Sequence, residues 1–369
     1  MLYEIHMLKN YPPVNLNRDD TGMPKNCYFG GALRGRVSSQ CLKRAWRTNP
    51  LFGEYFGTQG IRTRQLPALV AEELKKRGLS DDVTDALKSK VTGIANKDGT
   101  ENKDLITSQI IFYSPDDISK AADIMQNLAE EQGNDVKKIA KVKTKDVLSK
   151  VTDAAIRPIT MDIALFGRMV TSAAFADVEA AVQVAHAVST HAVNQESDYF
   201  AAVDDIIANS DSTGAGMIGD TDYNSCCYYH YAAIDTDQLL KNLEHSPDAA
   251  SLAEKVLPAF IKLMAFTNPS GKQNSFAGHV LPELICVEIK EKKIPVSYVN
   301  AFADPVPFHS HCRLIEESIK RLSEEIDRIH KGYGLEVKKR LWFSPRVTDY
   351  KPLCATASVA SLEELLKMC

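Results

Sequence analysis

Leu33-Arg34-Gly35-Arg36-Val37-Ser38-Ser39-Gln40-Cys41-Leu42-Lys43-Arg44-Ala45-Trp46-Arg47 changes its periodicity in the middle. Leu33 to Val37 reads as extended chain, which sets Arg34 and Arg36 on one face. From residue 39 to 48 the spacing predicts a helix. Steps of about 100° per residue bring Gln40, Lys43, Arg44 and Arg47 to one side and Leu42, Ala45 and Trp46 to the other. Ser38 or Ser39 suits the N-cap, because its hydroxyl can accept a free backbone N–H. A strand therefore feeds a short helix that packs its apolar side on a core and presents cations outward.

The charge around this stretch is unusual. The whole chain carries a formal charge of −4, yet no acidic residue occurs from Thr21 to Gly53. Lys25, Arg34, Arg36, Lys43, Arg44 and Arg47 all fall there. A local basic stripe on an otherwise acidic protein marks a site for a polyanion. Arginine and lysine at helical spacing supply cations for phosphates, and the exposed helix N-terminus supplies oriented N–H donors.

Working outward, 369 residues allow one large domain with insertions, or two domains. Residues 2–8 alternate as a strand. Gly30-Gly31 marks a tight turn or a close backbone approach. Residues 55–155 read as a largely helical insertion. Leu66, Leu69, Val70 and Leu74 form one stripe that stops at Gly78, and Ser80-Asp81-Asp82 starts the next helix. Ser114-Pro115-Asp116-Asp117 combines a cap, a proline at the first helical position and acids at the positive dipole end. A lysine-rich helix spans Lys137 to Lys145. Met161 to Gly167 reads as a strand, and residues 177–193 as a buried Ala/Val helix. Residues 195–225 form a long excursion containing Thr213-Gly214-Ala215-Gly216. Strands at 226–234 and 280–289 flank a helix at 249–266. An amphipathic helix at 310–331 ends at Gly332. This order is an α+β plan.

Enzyme signatures are scarce. No Walker loop or Gly-x-Ser-x-Gly elbow occurs. The eight cysteines are scattered without a Cys-x-x-Cys pair, the pattern of reduced cysteines in a cytosolic protein. His309-Ser310-His311-Cys312 lacks a second ligand pair at zinc spacing. Vicinal Cys226-Cys227, and His186 with His191, read as core. Asp19-Asp20 is the one carboxylate pair beside the stripe; it reads as a loop cap, with a divalent-ion site for phosphodiester cleavage as the alternative. No run is long and apolar enough for a membrane helix, and the first residues lack a signal-peptide pattern, so the expected setting is the cytoplasm.

Residues 16–47 also resemble a known family. Leu16-Asn17-Arg18-Asp19-Asp20, Lys25, Phe29-Gly30-Gly31, Arg34, Arg36-Val37-Ser38-Ser39-Gln40, Leu42-Lys43-Arg44-Ala45 and Arg47 are similar to the CasC-type backbone subunit of Cascade, the type I-E CRISPR surveillance complex. Further blocks are Asp162-Ile163-Ala164-Leu165 with Gly167-Arg168-Met169, then Ala185-His186-Ala187 through Thr190-His191, then Phe200 with Ala202-Val203-Asp204-Asp205. Shorter matches are Lys272-Gln273, Asn300-Ala301-Phe302 and Gly332-Tyr333-Gly334-Leu335.

The resemblance implies a hand. The palm would be a modified RRM-like (ferredoxin-like) fold of the RAMP superfamily, made of residues 1–54, 156–193 and 225–369. The fingers would be 55–155 and the thumb hairpin 194–224. Copies would stack as a filament along a CRISPR guide RNA, which pairs with target DNA, alongside other Cascade subunits. Neither cofactor, metal nor membrane is implied. By matching position, RNA would be held by Arg18, Lys25, Ser38, Gln40, Lys43, Arg47, Lys272 and Gln273, with Arg168, Met169 and Phe200 at a kink. Lys137, Lys138 and Lys141 are candidates for target-duplex contact. The subunit would be non-catalytic. The alternatives are a metal-dependent endoribonuclease of the same fold using Asp19 and Asp20, and a stand-alone RNA-binding regulator.

Overall fold

The computed structural model describes residues 1–96, 99–149, 158–170, 172, 174–202, 217–307, 313–346 and 355–369. Strand β1 (Leu2–Asn10) precedes the hairpin β2 (Asn26–Phe29) and β3 (Ala32–Val37), then helices α1 (Ser39–Thr48) and α2 (Pro50–Phe56). Next come β4 (Ile61–Thr63), α3 (Leu66–Lys76), α4 (Asp81–Ile94), β5 (Ile111–Tyr113), α5 (Pro115–Glu131), α6 (Val136–Lys141), α7 (Thr144–Ser149) and α8 (Met161–Phe166). Short β6 (Val182–Val184) and β7 (Ala187–Ser189) lead to β8 (Glu196–Ala202), β9 (Met217–Tyr223) and β10 (Cys227–Asp235). The chain ends with α9 (Thr236–Asn242), α10 (Ala249–Phe266), α11 (Gln273–Phe276), β11 (Leu284–Lys290), α12 (Leu314–Tyr333), β12 (Lys339–Phe343), β13 (Ala357–Ser358) and α13 (Leu362–Met368). The class is α+β, in two compact units: residues 1–52, 183–235 and 256–369, and residues 53–182 with 236–255. The second unit is thus larger than the 55–155 insertion expected.

In the first unit one sheet runs in the order β13-β12-β11-β1-β10-β7-β3-β2. Central β1 is antiparallel to both neighbours, with Ile5 opposite Ala232 on one side and Val287 on the other. Its even positions face α12, where Leu2 and Leu8 pack with Ile315, Ile319, Leu322 and Ile326. Its odd positions face the other way. The Lys9 Nζ donates to the Thr267 carbonyl at 3.0 Å, just past the end of α10. The Trp46 ring of α1 meets the Phe260 ring of α10 edge-on, centroids 5.4 Å apart. Helices therefore cover both faces, and the alternation of β1 separates two buried sides.

That burial takes in charge. Glu4 and His6 sit on the α12 side, fully buried. Glu4 pairs with Lys290, Lys290 with Glu288 at 3.0 Å, and Glu288 with Arg340 at 2.6 Å, so positive and negative groups offset one another across β1, β11 and β12. Burial lowers the His6 pKa to about 3, and its Nδ1 shares a hydrogen bond with the Tyr229 hydroxyl at 2.8 Å.

The β2–β3 turn needs glycine for two reasons. Gly30 and Gly31 both have positive φ, +58° and +75°. A Cβ on Gly30 would fall 1.6 Å from the Ala303 carbonyl oxygen. The turn and the close approach suggested by the sequence coexist here.

The second unit buries Leu66, Val70 and Leu74 of α3 against Leu87 and Val91 of α4 and Ala122, Met125 and Leu128 of α5. Helix α5 begins with a capping box: the Ser114 hydroxyl accepts from Asp117 N, and the Asp117 carboxylate accepts from Ser114 N.

Several sequence expectations are corrected. Met161–Phe166 is helix α8, with Met161 to Leu165 all buried. Periodicity cannot separate strand from helix in so short an apolar run. Residues 177–193 contain no helix; they hold β6 and β7, the latter pairing Ala187 with Val37 and Ser189 with Tyr228. The β-branched Val182, Val184 and Val188 suit a strand, and β3 and β10 offer β7 partners on both sides. The lysine-rich helix is two short ones, α6 and α7. Helix α12 runs to Tyr333 and is capped by left-handed Gly334, two residues beyond the Gly332 stop expected.

Candidate nucleic-acid interface

Helix α1 has the two-sided character its spacing predicts. The Ser38 hydroxyl accepts from Cys41 N at 3.3 Å, which fixes the cap. Leu42 and Trp46 are buried, Gln40 and Arg44 are exposed, and Lys43 and Arg47 are half-buried. Burial pulls the Lys43 pKa down. The 16–25 loop braces the helix start: Asn17 Oδ1 accepts from Ser38 N at 2.9 Å, and Lys25 N donates to the Asn17 carbonyl at 2.8 Å. Arg18, exposed, bridges to Pro24. The basic residues are thereby gathered at the edge of the sheet.

The two arginines of β3 divide. Arg34 turns inward, fully buried, and donates to the carbonyls of Ser189, Phe302 and Ala303 at 2.9, 2.8 and 3.1 Å. It holds the sheet edge to the 302–303 turn and is withdrawn from the surface stripe. Arg36 stays half-exposed; its Nε donates to the Asn26 carbonyl at 3.1 Å, and its Nη1 lies 3.0 Å from His186 Nδ1. His186, which reads as core in the sequence, is exposed. The misassigned helix hid it; a strand reading of 182–189 would have placed it beside Arg36.

A cleft of about 830 Å³ opens beside α1, lined by Arg18, Asp19, Asp20, Arg44, Asn268 and Gly271 among others. Asp19 is already engaged. Its Oδ1 accepts from the Thr21 hydroxyl and from the N–H groups of Thr21 and Met23, at 2.7, 2.9 and 3.0 Å. These bonds hold its carboxyl below the usual range. Asp19 thus caps the 19–23 turn. Lys272 has a left-handed backbone, φ +49°, and the Gln273 amide donates to the Pro269 carbonyl at 2.9 Å; both side chains are half-buried.

The remaining candidates scatter. Arg168 lies in the second unit with its guanidinium buried, 2.5 Å from Asp117 and donating to the carbonyls of Ala176 and Phe112 at 3.0 and 3.2 Å. Met169, next to it, is 85% exposed. Phe200 belongs to the first unit, on the antiparallel pair β8–β9, which is a sheet of its own. Its ring lies over Gly219, where a Cβ would fall 2.6 Å from the Phe200 Cζ, and it keeps 40% of its surface exposed. Lys137, Lys138 and Lys141 are exposed on α6, which Asp135 caps by accepting from Lys137 N and Lys138 N. His309-Ser310-His311-Cys312, Asp204-Asp205 and Thr213 to Gly216 lie outside the described residues. Among the described residues no helix is long and apolar enough to cross a membrane.

This architecture is shared with chains of CRISPR RNA-guided surveillance complexes. One, from a complex described as pre-nicking, superposes with a TM-score of 0.82 at 25% identity, covering 100% of both chains. A second, from another such complex, gives a TM-score of 0.72 at 22% identity, again over 100% of both. No curated protein matches the sequence. The family model Cas_CT1975 matches residues 3–368, and the chain belongs to this CT1975-like protein family.

Proposed function

We propose that this chain is the CasC-type backbone subunit of a type I-E CRISPR surveillance complex. Several copies stack on one guide RNA, hold it by its phosphates and present its bases to target DNA, beside other subunits and in the cytoplasm. The observation that carries this reading is the Ser38-capped helix, with Gln40, Lys43, Arg44 and Arg47 on its outer side next to Lys25 and Arg36. Full-length similarity to chains of RNA-guided surveillance complexes supplies the context.

The stretch β11-β1-β10-β7 is antiparallel throughout, with α1 following its first strand and α10 its third, which supports an RRM-like palm. In an RRM the open sheet face stacks bases on aromatics. Here α12 covers that face, which favours recognition of backbone at the edge and leaves the bases to pairing. The β8–β9 pair supports a thumb, and the helical second unit supports fingers that offer Lys137, Lys138 and Lys141 to a target duplex. Met169 of the second unit and Phe200 of the first are each exposed, and either would offer apolar surface suited to a kinked base step. The engagement of Asp19 in its own turn supports a non-catalytic role.

The test is assembly. Co-expressed with partner subunits and a CRISPR array, the chain should purify with guide RNA as a multi-copy filament that protects the RNA at a regular interval. A single copy per RNA, without periodic protection, would favour a stand-alone RNA-binding regulator. Cleavage of paired RNA with magnesium, lost in Asp20→Ala, would favour the endoribonuclease.

A further inference from the structure

Among the described residues, His186 is the exposed histidine in contact with the basic edge, and its bonding is informative. A guanidinium can only donate, so the 3.0 Å contact with Arg36 Nη1 requires a lone pair on His186 Nδ1. The ring is therefore neutral in the free protein, with its proton on Nε2. The charges acting on it are both cationic: Arg36 from β3 and Lys25 from the loop before β2. The Cys27 thiol of β2, on which Arg36 also acts, is pushed up by burial and adds no negative charge; the exposed Tyr28 phenol lies on the same strand. Partial burial, then Arg36 and Lys25, lower the pKa of His186 below its ordinary value.

An arriving phosphate reverses this balance. It neutralises Arg36 and Lys25 and offers an acceptor to both ring nitrogens. A protonated His186 then becomes a third cation at the same spot, and Arg36 is freed to turn its Nη1 outward. The chain β3–β7 register keeps the two side chains adjacent, because Arg36 pairs with Val188 and Val37 with Ala187. We propose that His186 is a phosphate-contacting residue of this edge and that RNA docking is coupled to uptake of one proton on its ring. The proposal rests on the RNA-binding reading above and adds to it a residue and a linkage.

By linkage, affinity is insensitive to pH above the bound-state pKa. It rises as pH falls between the bound-state and free-state values, by at most about tenfold per pH unit for one proton. The experiment titrates the purified full-length chain with a fluorescein-labelled single-stranded RNA of scrambled sequence from pH 5.5 to 8.5, in wild type, His186→Gln and His186→Lys. Calorimetry in two buffers of different ionisation enthalpy then counts the protons taken up. Wild type should bind more tightly as pH falls and take up a fraction of a proton near neutrality. His186→Gln should match wild type at high pH and gain less affinity on acidification. His186→Lys should bind at high pH as wild type does at low pH, with a salt slope steeper by about 0.7. A His186→Gln profile that keeps the wild-type pH dependence and proton count overturns the role of His186 while leaving RNA binding intact. Absence of RNA binding by wild type at every pH overturns the RNA-binding reading itself, and this inference with it.

Discussion

Arg168 stands within a run that resembles a guide-RNA contact, yet its guanidinium is 2% exposed and faces a carboxylate, Asp117, that is 0% exposed. Replacing it by methionine keeps most of the length and removes the charge. The buried Asp117 carboxylate then loses the Arg168 cation, and the carbonyls of Ala176 and Phe112 lose the bonds that Arg168 donates. Removing one partner of a buried pair costs about 3–5 kcal/mol, most of it from the charge left behind. For a unit of this size that is a fall of roughly 6–20 °C in Tm, at about 2–4 °C per kcal/mol. Two observables separate the units. Trp46 and Trp342 are the only tryptophans and both belong to the first, so tryptophan fluorescence follows that one alone. Hydrogen exchange in α3, α4 and α5 follows the second. Arg168→Met should lower protection in those helices, leave the fluorescence transition in place and leave the RNA salt slope of the cold, folded protein unchanged. Adding Asp117→Asn should recover much of the loss, because the uncompensated charge goes while an oxygen remains for Ser114 N. Wild-type protection in Arg168→Met together with a salt slope lower by about 0.7 would refute the structural assignment and make Arg168 an RNA ligand.

Lys43→Ala and Arg47→Ala should each reduce the salt slope of single-stranded RNA binding by about 0.7, equally for unrelated sequences; strong dependence on the bases would contradict a backbone site. Lys9 is buried and its pKa is lowered from 10.5 to about 7 by desolvation. The unfolded chain therefore binds more protons between those values, and stability rises with pH through that window, the full penalty being present below about pH 7. The difference, about 3.5 units, caps the effect at ~5 kcal/mol. Lys9→Met should gain on wild type as pH falls from 10 to 7, read from the denaturation midpoint by tryptophan fluorescence; a pH-independent difference would count against the neutral buried amine. Phe200→Ala and Met169→Ala should cost far less than the ~3–5 kcal/mol of a core phenylalanine truncation while loosening periodic protection of the RNA. Charge reversal at Lys137, Lys138 and Lys141 should slow target-DNA capture and leave guide retention unchanged, with loss of guide as the contrary outcome.

Local grammar was legible wherever one element decides its own form. The Ser38 cap, the two-faced α1, the Gly30-Gly31 turn and the Ser114 capping box follow from residues within a few positions of one another. Elements whose form is decided by distant partners were not. Residues 177–193 hold five alanines and read as a helix alone, but β3 and β10 offer the 187–189 stretch backbone pairing, and that tertiary gain overrides a propensity of a few tenths of a kcal/mol per residue. Met161–Phe166 fails for the opposite reason. Burial on all sides erases the periodicity by which a helix is told from a strand.

The same limit shaped the site. Spacing alone makes Arg34 and Arg36 equivalent, since both point to one side of β3. The structure gives them opposite tasks because carbonyls of Phe302 and Ala303 approach at Gly30, and an inward guanidinium is what satisfies them. Gly30 and Arg34 are therefore one device: the missing side chain admits the 302–303 turn, and the arginine binds it. The basic stripe is correspondingly narrower than its sequence, with Arg36, His186 and Lys25 at the sheet edge and Lys43, Arg44 and Arg47 on α1. Within it, Asn17 braces the start of α1 by accepting from Ser38 N, and the Asn26 carbonyl holds the Arg36 side chain. Preorganisation of this sort lowers the ordering cost of binding, which is the physical reason to propose the phosphate site at this edge.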